Sequence, residues 1–194
     1  MRKKITILGN PPCKTDDNLY KYIHKSIPVI MRIKKGIDIS LLKRYTNKIQ
    51  LIYHPIWLVK LLIIADRKPL PPKKSNTNIF IDAISGYRGL LNNIPLTTTE
   101  INKSTKCIDP FINEENNLEK YIQDVQNSQI NRSYMLKKPK YKTIEYFLTH
   151  LPLWKVEING SKIQRDIFLN ANTGESEQYM ASQWNSKKWL LSSN

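Results

Sequence analysis

The feature that most constrains this chain is an internal repeat. Three short segments recur in the same order, each displaced by about a hundred residues. The pairs are 18–23 (NLYKYI) with 117–122 (NLEKYI), 54–59 (HPIWLV) with 151–156 (LPLWKV), and 79–86 (IFIDAISG) with 167–174 (IFLNANTG). We interpret them as an internal duplication, so the chain is expected to contain two copies of one small structural unit.

Each copy has the pattern of a helix followed by a β-hairpin. Apolar residues spaced along one helical face open each copy, and apolar, β-branched runs on both sides of a turn follow. The helical faces are Leu19, Tyr22, Ile23 and Ile27 in the first copy, and Leu118, Tyr121, Ile122 and Val125 in the second. The sequence therefore predicts the α+β class, as two tandem helix-plus-antiparallel-sheet repeats.

The two copies differ most in their hairpins. The second has the strong turn signal Asn159-Gly160, whereas the first is predicted to have a basic, proline-rich loop inserted at 66–74 (DRKPLPPKK). We therefore predict a first repeat at 1–95 that carries this insert in its hairpin, a polar linker at 96–113, and a second repeat at 114–194. An insertion into one copy of a repeat usually maps to a functional surface.

Charge indicates the class of partner. The 31 Lys and Arg against 16 Asp and Glu give a formal net charge of +15, which favours an anionic partner: nucleic acid, an acidic polypeptide or an acidic lipid surface. Two clusters are the candidate binding residues, one in the insert and one after the second helix. They are Arg67, Lys68, Lys73 and Lys74, and Lys137, Lys138, Lys140 and Lys142.

No pattern of catalytic or metal-binding residues is evident. Cys13 and Cys107 each precede a helix, where a thiolate would be favoured, but neither has a His or Cys at ligand spacing. Asp82 and Asn170 occupy the same place in the two copies. That interchange fits a side chain that bonds its own turn rather than an acid catalyst. We therefore predict that the protein is not an enzyme and has no cofactor or metal site.

The end of each copy resembles a known family. Residues 155–160 (KVEING) and 165–175 (RDIFLNANTGE) resemble the strand–turn–strand end of a PepSY-type domain, and residues 82–86 (DAISG) are similar. The resemblance implies a small, non-enzymatic helix-plus-sheet module that binds proteins or peptides. Members of the family are commonly exported.

The sequence nevertheless favours the bacterial cytoplasm. Two cysteines make no disulfide framework, and Asn10-Pro11-Pro12 ends the first apolar run too early for a signal peptide. The longest apolar run elsewhere, 58–65, is interrupted by Lys60 and is too short to span a bilayer, so no transmembrane segment is predicted.

The leading hypothesis is a non-catalytic binding or scaffold protein that holds an acidic peptide or protein segment by strand addition, as an accessory to peptide-modifying enzymes. The alternative is a single-stranded nucleic-acid-binding protein of low sequence specificity. It rests on tyrosines near basic residues, as in proteins that stack bases on aromatic rings. These are Tyr45, Tyr53, Tyr87, Tyr134 and Tyr141.

Overall fold

The computed structural model describes residues 2–12, 17–92, 95–102, 105–113 and 118–191; Cys13 lies outside them. Helices and one large mixed sheet make up this part of the chain, which confirms the predicted α+β class. The elements are β1 (Arg2–Leu8), α1 (Asp17–Ser26), α2 (Val29–Lys35), α3 (Ile39–Tyr45), β2 (Thr46–Arg67), β3 (Leu70–Asp82), β4 (Arg88–Leu91), β5 (Leu96–Asn102), β6 (Lys106–Cys107), α4 (Leu118–Val125), β7 (Lys140–Asn159), β8 (Gln164–Asn170) and α5 (Gln178–Gln183).

The sheet has eight strands. Its main path runs β4-β3-β2-β7-β1-β5, while β6 pairs with β2 and β8 pairs with β7. The strand β2 continues through Pro55, although proline lacks the N–H of a ladder. On one edge of β2, β6 pairs as far as Tyr53 and β3 pairs from Ile56, so Pro55 falls between two partners. None of the described helices is long and apolar enough to cross a membrane.

Unit one comprises Met1–His54, Leu96–Ile108 and Leu151–Ser182. In this unit α1 packs on the antiparallel hairpin of β7 and β8, and β1 pairs antiparallel with β5. Apolar side chains of the helix and of the hairpin form one buried cluster. Its helix members are Leu19, Ile23 and Ile27, and its hairpin members are Val156, Ile158, Ile163, Ile167 and Leu169.

Unit two comprises Pro55–Pro95, Asp109–His150 and Gln183–Asn194. Here α4 packs on the antiparallel hairpin of β2 and β3, and a π-helical turn (Gln126–Ile130) continues the helix. The indole Nε1 of Trp57 donates a hydrogen bond of 2.7 Å to the Ile112 carbonyl. The cluster includes Trp57, Val59, Leu61, Ile63, Ile79 and Ile81 from the strands, and Leu118, Tyr121, Ile122 and Val125 from the helix.

The compact units do not follow chain order. The predicted segments 1–95 and 114–194 each contain a helix and a hairpin, yet α1 lies on β7–β8 and α4 lies on β2–β3. The predicted linker 96–113 holds β5 and β6, and its residues 96–108 belong to unit one. Periodicity indicates that each helix needs an apolar sheet surface, but it does not say which of two similar hairpins supplies it.

The turns that end the two hairpins use matching hydrogen bonds. Asp82 Oδ1 accepts from the N–H groups of Ile84 and Ser85 at 2.8 and 3.2 Å. Asn170 Oδ1 accepts from Asn172 and Thr173 at 3.0 and 3.3 Å. The glycines that follow, Gly86 and Gly174, have φ values of 76° and 73°, which glycine adopts without strain. The prediction that Asp82 and Asn170 bond their own turns is therefore confirmed.

This role predicts different effects for two substitutions of Asp82. Asp82→Ala leaves two N–H donors at a buried turn without their acceptor and should lower the free energy of unfolding by about 1–3 kcal/mol. Asp82→Asn keeps the Oδ1 acceptor and should cost less, as Asn170 serves the other turn. Urea unfolding of both variants measures the difference, and equal losses would contradict the turn role.

The placement of α1 predicts a pattern of energetic coupling. Ile23 of α1 and Ile167 of β8 share one buried cluster, so Ile23→Ala and Ile167→Ala should couple by about 0.5–3 kcal/mol in a double-mutant cycle. The matched control pairs Ile23→Ala with Ile81→Ala, which belongs to the cluster under α4. Those two effects should add. Energetic coupling of Ile23 to Ile81, in place of Ile167, would mean that α1 packs on the β2–β3 hairpin and would contradict the structure.

Candidate functional site

The basic insert at 66–74 forms the end of a pair of strands. The prediction of a proline-rich loop there is therefore wrong. The strand β2 continues to Arg67 and β3 begins at Leu70, with Lys68–Pro69 as a cis-peptide connection. Ile63 and Ala65 are buried in this extension, so it is part of the folded body of unit two. The prolines at 71 and 72 lie next to the shift in ladder register between Ala65 and Arg67, where regular pairing is already interrupted.

The second basic cluster meets the insert at an ion pair. Lys137 Nζ lies 2.6 Å from Asp66 Oδ2, at the end of β2. Farther along the same neighbouring strands, Lys60 forms an ion pair with Glu145. Since β2 runs from 60 to 66 while the other chain segment runs back from 145 to 137, the two segments are antiparallel. Lys140 and Lys142 therefore lie along the end of β2.

Both predicted clusters thus belong to one basic end of unit two, which we call the hairpin end. It consists of eight exposed cations on or beside the adjacent strands β3, β2 and β7. Within the described residues, Lys137 is the one member that has an ion pair, and Asp66 is its partner. The members are Arg67, Lys68, Lys73, Lys74, Lys137, Lys138, Lys140 and Lys142.

Asp66 is the residue of this site that sequence reasoning missed. The hydrogen bond from Lys137, with the positive charges of Lys137 and Lys68, lowers the pKa of the Asp66 carboxyl below its usual value. A lone carboxylate beside Arg67 and Lys68 was the available signal. Through its ion pair with Lys137, Asp66 links two basic clusters that are distant in sequence. The net charge of the hairpin end remains strongly positive.

The hairpin end also has an open backbone edge. Among the described residues, β4 pairs with β3 only from Asn78 to Ile81, so the segment of β3 before Asn78 has a strand neighbour on one side, β2. An edge strand presents N–H and C=O groups that can pair with another extended chain. Lys73 and Lys74 lie on this edge segment.

The tyrosines predicted as stacking residues are packed within the fold. Tyr53 is buried, and Tyr134 and Tyr141 pack against the apolar cluster of unit two. Burial raises the pKa of Tyr141, whose hydroxyl donates to Asn131 Oδ1 at 2.7 Å. Tyr87 contacts the rings of Phe80 and Trp189, and Tyr45 lies against Gly160. These rings therefore do not form an open platform for bases.

Metal-ligating side chains do not gather anywhere in the described part of the chain. Cys107 lies in β6, where it pairs with Tyr53 of β2, and is half-buried. Trp57 is buried and Trp154 is partly buried against the core of unit one, so both anchor packing rather than an exposed surface.

The Lys137–Asp66 ion pair predicts a pH effect that can be measured at one group. NMR titration should give Asp66 a pKa below the ordinary value of about 3.9. Because the folded-state pKa is depressed, the stabilisation from this pair is present above the unfolded pKa and is lost as pH falls through the folded pKa. Lys137→Met should raise the Asp66 pKa towards its ordinary value. Lys138→Met is the matched control, and an equal rise there would contradict the pairing.

In comparisons with known proteins, no protein-family model, curated protein or solved structure matches the chain.

Proposed function

We propose that this protein is a non-catalytic binding protein that holds an acidic peptide, or an acidic segment of a larger protein, on the hairpin end of unit two. The observation that carries the proposal is the convergence of two basic clusters, joined by Lys137 and Asp66, on adjacent strands. Among the described residues, Asp66 is the carboxylate that pairs with any of these eight cations, so a positive field remains that an anionic chain would neutralise.

The open edge of β3 supports a strand-like ligand. A peptide added to that edge would gain main-chain hydrogen bonds, and its side chains would alternate between the two sides of the sheet. Side chains on one side of a strand recur every two residues, about 7 Å apart. Lys73 and Lys74 are successive residues of β3 and project from opposite sides of the sheet, so acidic residues at that spacing would run past one of them and towards the cations on the same side of the neighbouring strands.

Other parts of the sequence interpretation enter here as proposals. The matching turns at Asp82 and Asn170 support an origin of the two helix-plus-hairpin segments by duplication. A PepSY-like module that binds peptides agrees with the proposed ligand. The setting that we propose is the bacterial cytoplasm, beside enzymes that modify an acidic leader peptide.

A fluorescent peptide of alternating Glu and Val tests the proposed site by anisotropy. Lys73→Glu with Lys74→Glu should weaken binding at least tenfold, about 1.4 kcal/mol, because attraction becomes repulsion on the edge strand. The matched control is Lys3→Glu with Lys4→Glu, an exposed basic pair on β1 that makes the same change in net charge. Equal weakening by both variants would show a general charge effect and would overturn the site. Charge substitutions are preferable to shortening the hairpin, because Ile63 and Ala65 are buried in it.

Two further arms separate strand addition from other modes. N-methylation of the peptide at one set of alternate amides should abolish binding, whereas methylation of the other set should be tolerated, since only one edge of the added strand pairs with β3. An excess of unrelated single-stranded DNA should leave the peptide bound. Displacement by DNA would favour the nucleic-acid alternative, in which phosphate contacts alone supply the affinity.

A further inference from the structure

The short helix α2 exposes apolar side chains. It has seven residues, none of them buried. Val29, Ile30 and Ile33 are 56%, 70% and 76% exposed. Residues three and four apart are neighbours on a helix, so these three side chains form one apolar patch. A helix of a folded domain usually turns such a patch towards the core.

The patch is held in place by structure on both sides of α2. Ile27 and Ile37, which flank the helix, are buried in the core of unit one, and Met31 packs against the same core. Gly36 ends the helix in the left-handed conformation with φ of 57°, and its N–H bonds the Ile33 carbonyl at 3.3 Å. The exposed apolar side chains therefore belong to an anchored helix.

Positive charge borders the apolar patch. Arg32, Lys34 and Lys35 occupy the last turn of α2, and the helix carries no acidic residue in its first turn. Lys25 is an exposed cation on the preceding helix. The nearby carboxylate of Asp38 caps α3, where it accepts from the Leu41 N–H at 2.7 Å. Apolar side chains beside cations on one helix are typical of helices that lie at an anionic lipid surface.

A cavity of about 310 Å³ lies at the base of α2. Its lining is apolar except for His24 and Arg32. His24 Nε2 lies 3.1 Å from the Ile37 carbonyl, and Arg32 Nη1 lies 3.2 Å from His24 Nδ1. A neutral imidazole with its proton on Nε2 satisfies both contacts. The Nε of Arg32 is buried and has no hydrogen-bond acceptor among the described residues, so the donors of this guanidinium are only partly used within the protein.

We propose that α2 docks unit one on an anionic phospholipid surface. Val29, Ile30 and Ile33 enter the boundary between headgroups and acyl chains, Arg32 binds a headgroup phosphate, and Lys25, Lys34 and Lys35 add attraction to neighbouring anionic lipids. The size of the patch favours lipid over protein. Three aliphatic side chains on a seven-residue helix offer far less than the roughly 800 Å² per partner of a stable protein interface.

Co-sedimentation of the full chain with vesicles tests this proposal. The protein should bind vesicles of phosphatidylcholine and phosphatidylglycerol, bind phosphatidylcholine alone at least tenfold more weakly, and lose binding as salt rises. Ile30→Asn with Ile33→Asn should lower the partition coefficient at least tenfold. The matched control is Met135→Asn with Leu136→Asn, because those two apolar side chains are fully exposed beside Lys137 in unit two. Thermal melts establish that each variant is folded.

Four outcomes would contradict the proposal, the first three as a whole and the fourth in its assignment of Arg32. Absence of binding to anionic vesicles would exclude lipid docking. A larger loss from Met135→Asn with Leu136→Asn than from the α2 variant would place the docking surface in unit two. Displacement of bound protein by inorganic phosphate, at the concentration of the lipid phosphate, would make the Arg32 cavity a site for a soluble anion. An unchanged partition in Arg32→Gln, with the α2 apolar variant defective, would remove Arg32 from the lipid contact.

Discussion

Burial of α4 against the β2–β3 hairpin is the interaction on which unit two depends. The hairpin has β4 and β7 as neighbouring strands, but its apolar side chains still need a helix to cover them, because a sheet with an apolar face is stable only when that face is buried. The helix residues Leu118, Tyr121, Ile122 and Val125 are almost completely buried in this contact. Full burial of one large apolar side chain contributes about 1.5–3 kcal/mol, so these four outweigh any single polar contact at the hairpin end.

The same contact positions the candidate binding surface. After α4 the chain passes through a π-helical turn and a short 3₁₀ turn (Asn131–Ser133), and Tyr134 packs back against the core. The hydroxyl of Tyr141 is bonded to Asn131, which fixes the other end of this segment. Lys137 lies between these anchors and meets Asp66. Apolar packing therefore determines where the second basic cluster lies, and the ion pair only adjusts it.

Local signals in the sequence predicted local structure well. The Asx turns at Asp82 and Asn170, and the glycines four residues later, follow from the conformational preferences of those residue types alone. Pairings between distant segments were not predictable. Nothing in the periodicity of α1 or α4 distinguishes β7–β8 from β2–β3, because both hairpins offer apolar residues in the same order. The basic residues of the candidate site were identified from charge, but their convergence depends on that undetermined pairing.

The prediction of a loop at 66–74 was wrong for a different reason. Three prolines in nine residues favour a loop by composition. The prediction gave them more weight than the alternation of apolar residues that continues β2 through Ile63 and Ala65, which are buried. Those two buried residues hold the extension in register, while the prolines at 71 and 72 are confined to the first residues of β3, where the ladder shifts. A prediction from composition averages over all residues of a segment. Strand pairing instead depends on which individual residues must donate a backbone N–H to the neighbouring strand.

The register of this extension also explains how so much positive charge is tolerated in one hairpin. Lys73 lies opposite Ala65, Lys74 opposite Ile64, and Arg67 opposite Leu70, so no cation faces another across the ladder. Like charges placed directly opposite would destabilise the strand pair. With that arrangement avoided, repulsion inside the hairpin is limited to diagonal and longer distances, which water and salt screen effectively. The hairpin can therefore remain folded with its cations exposed.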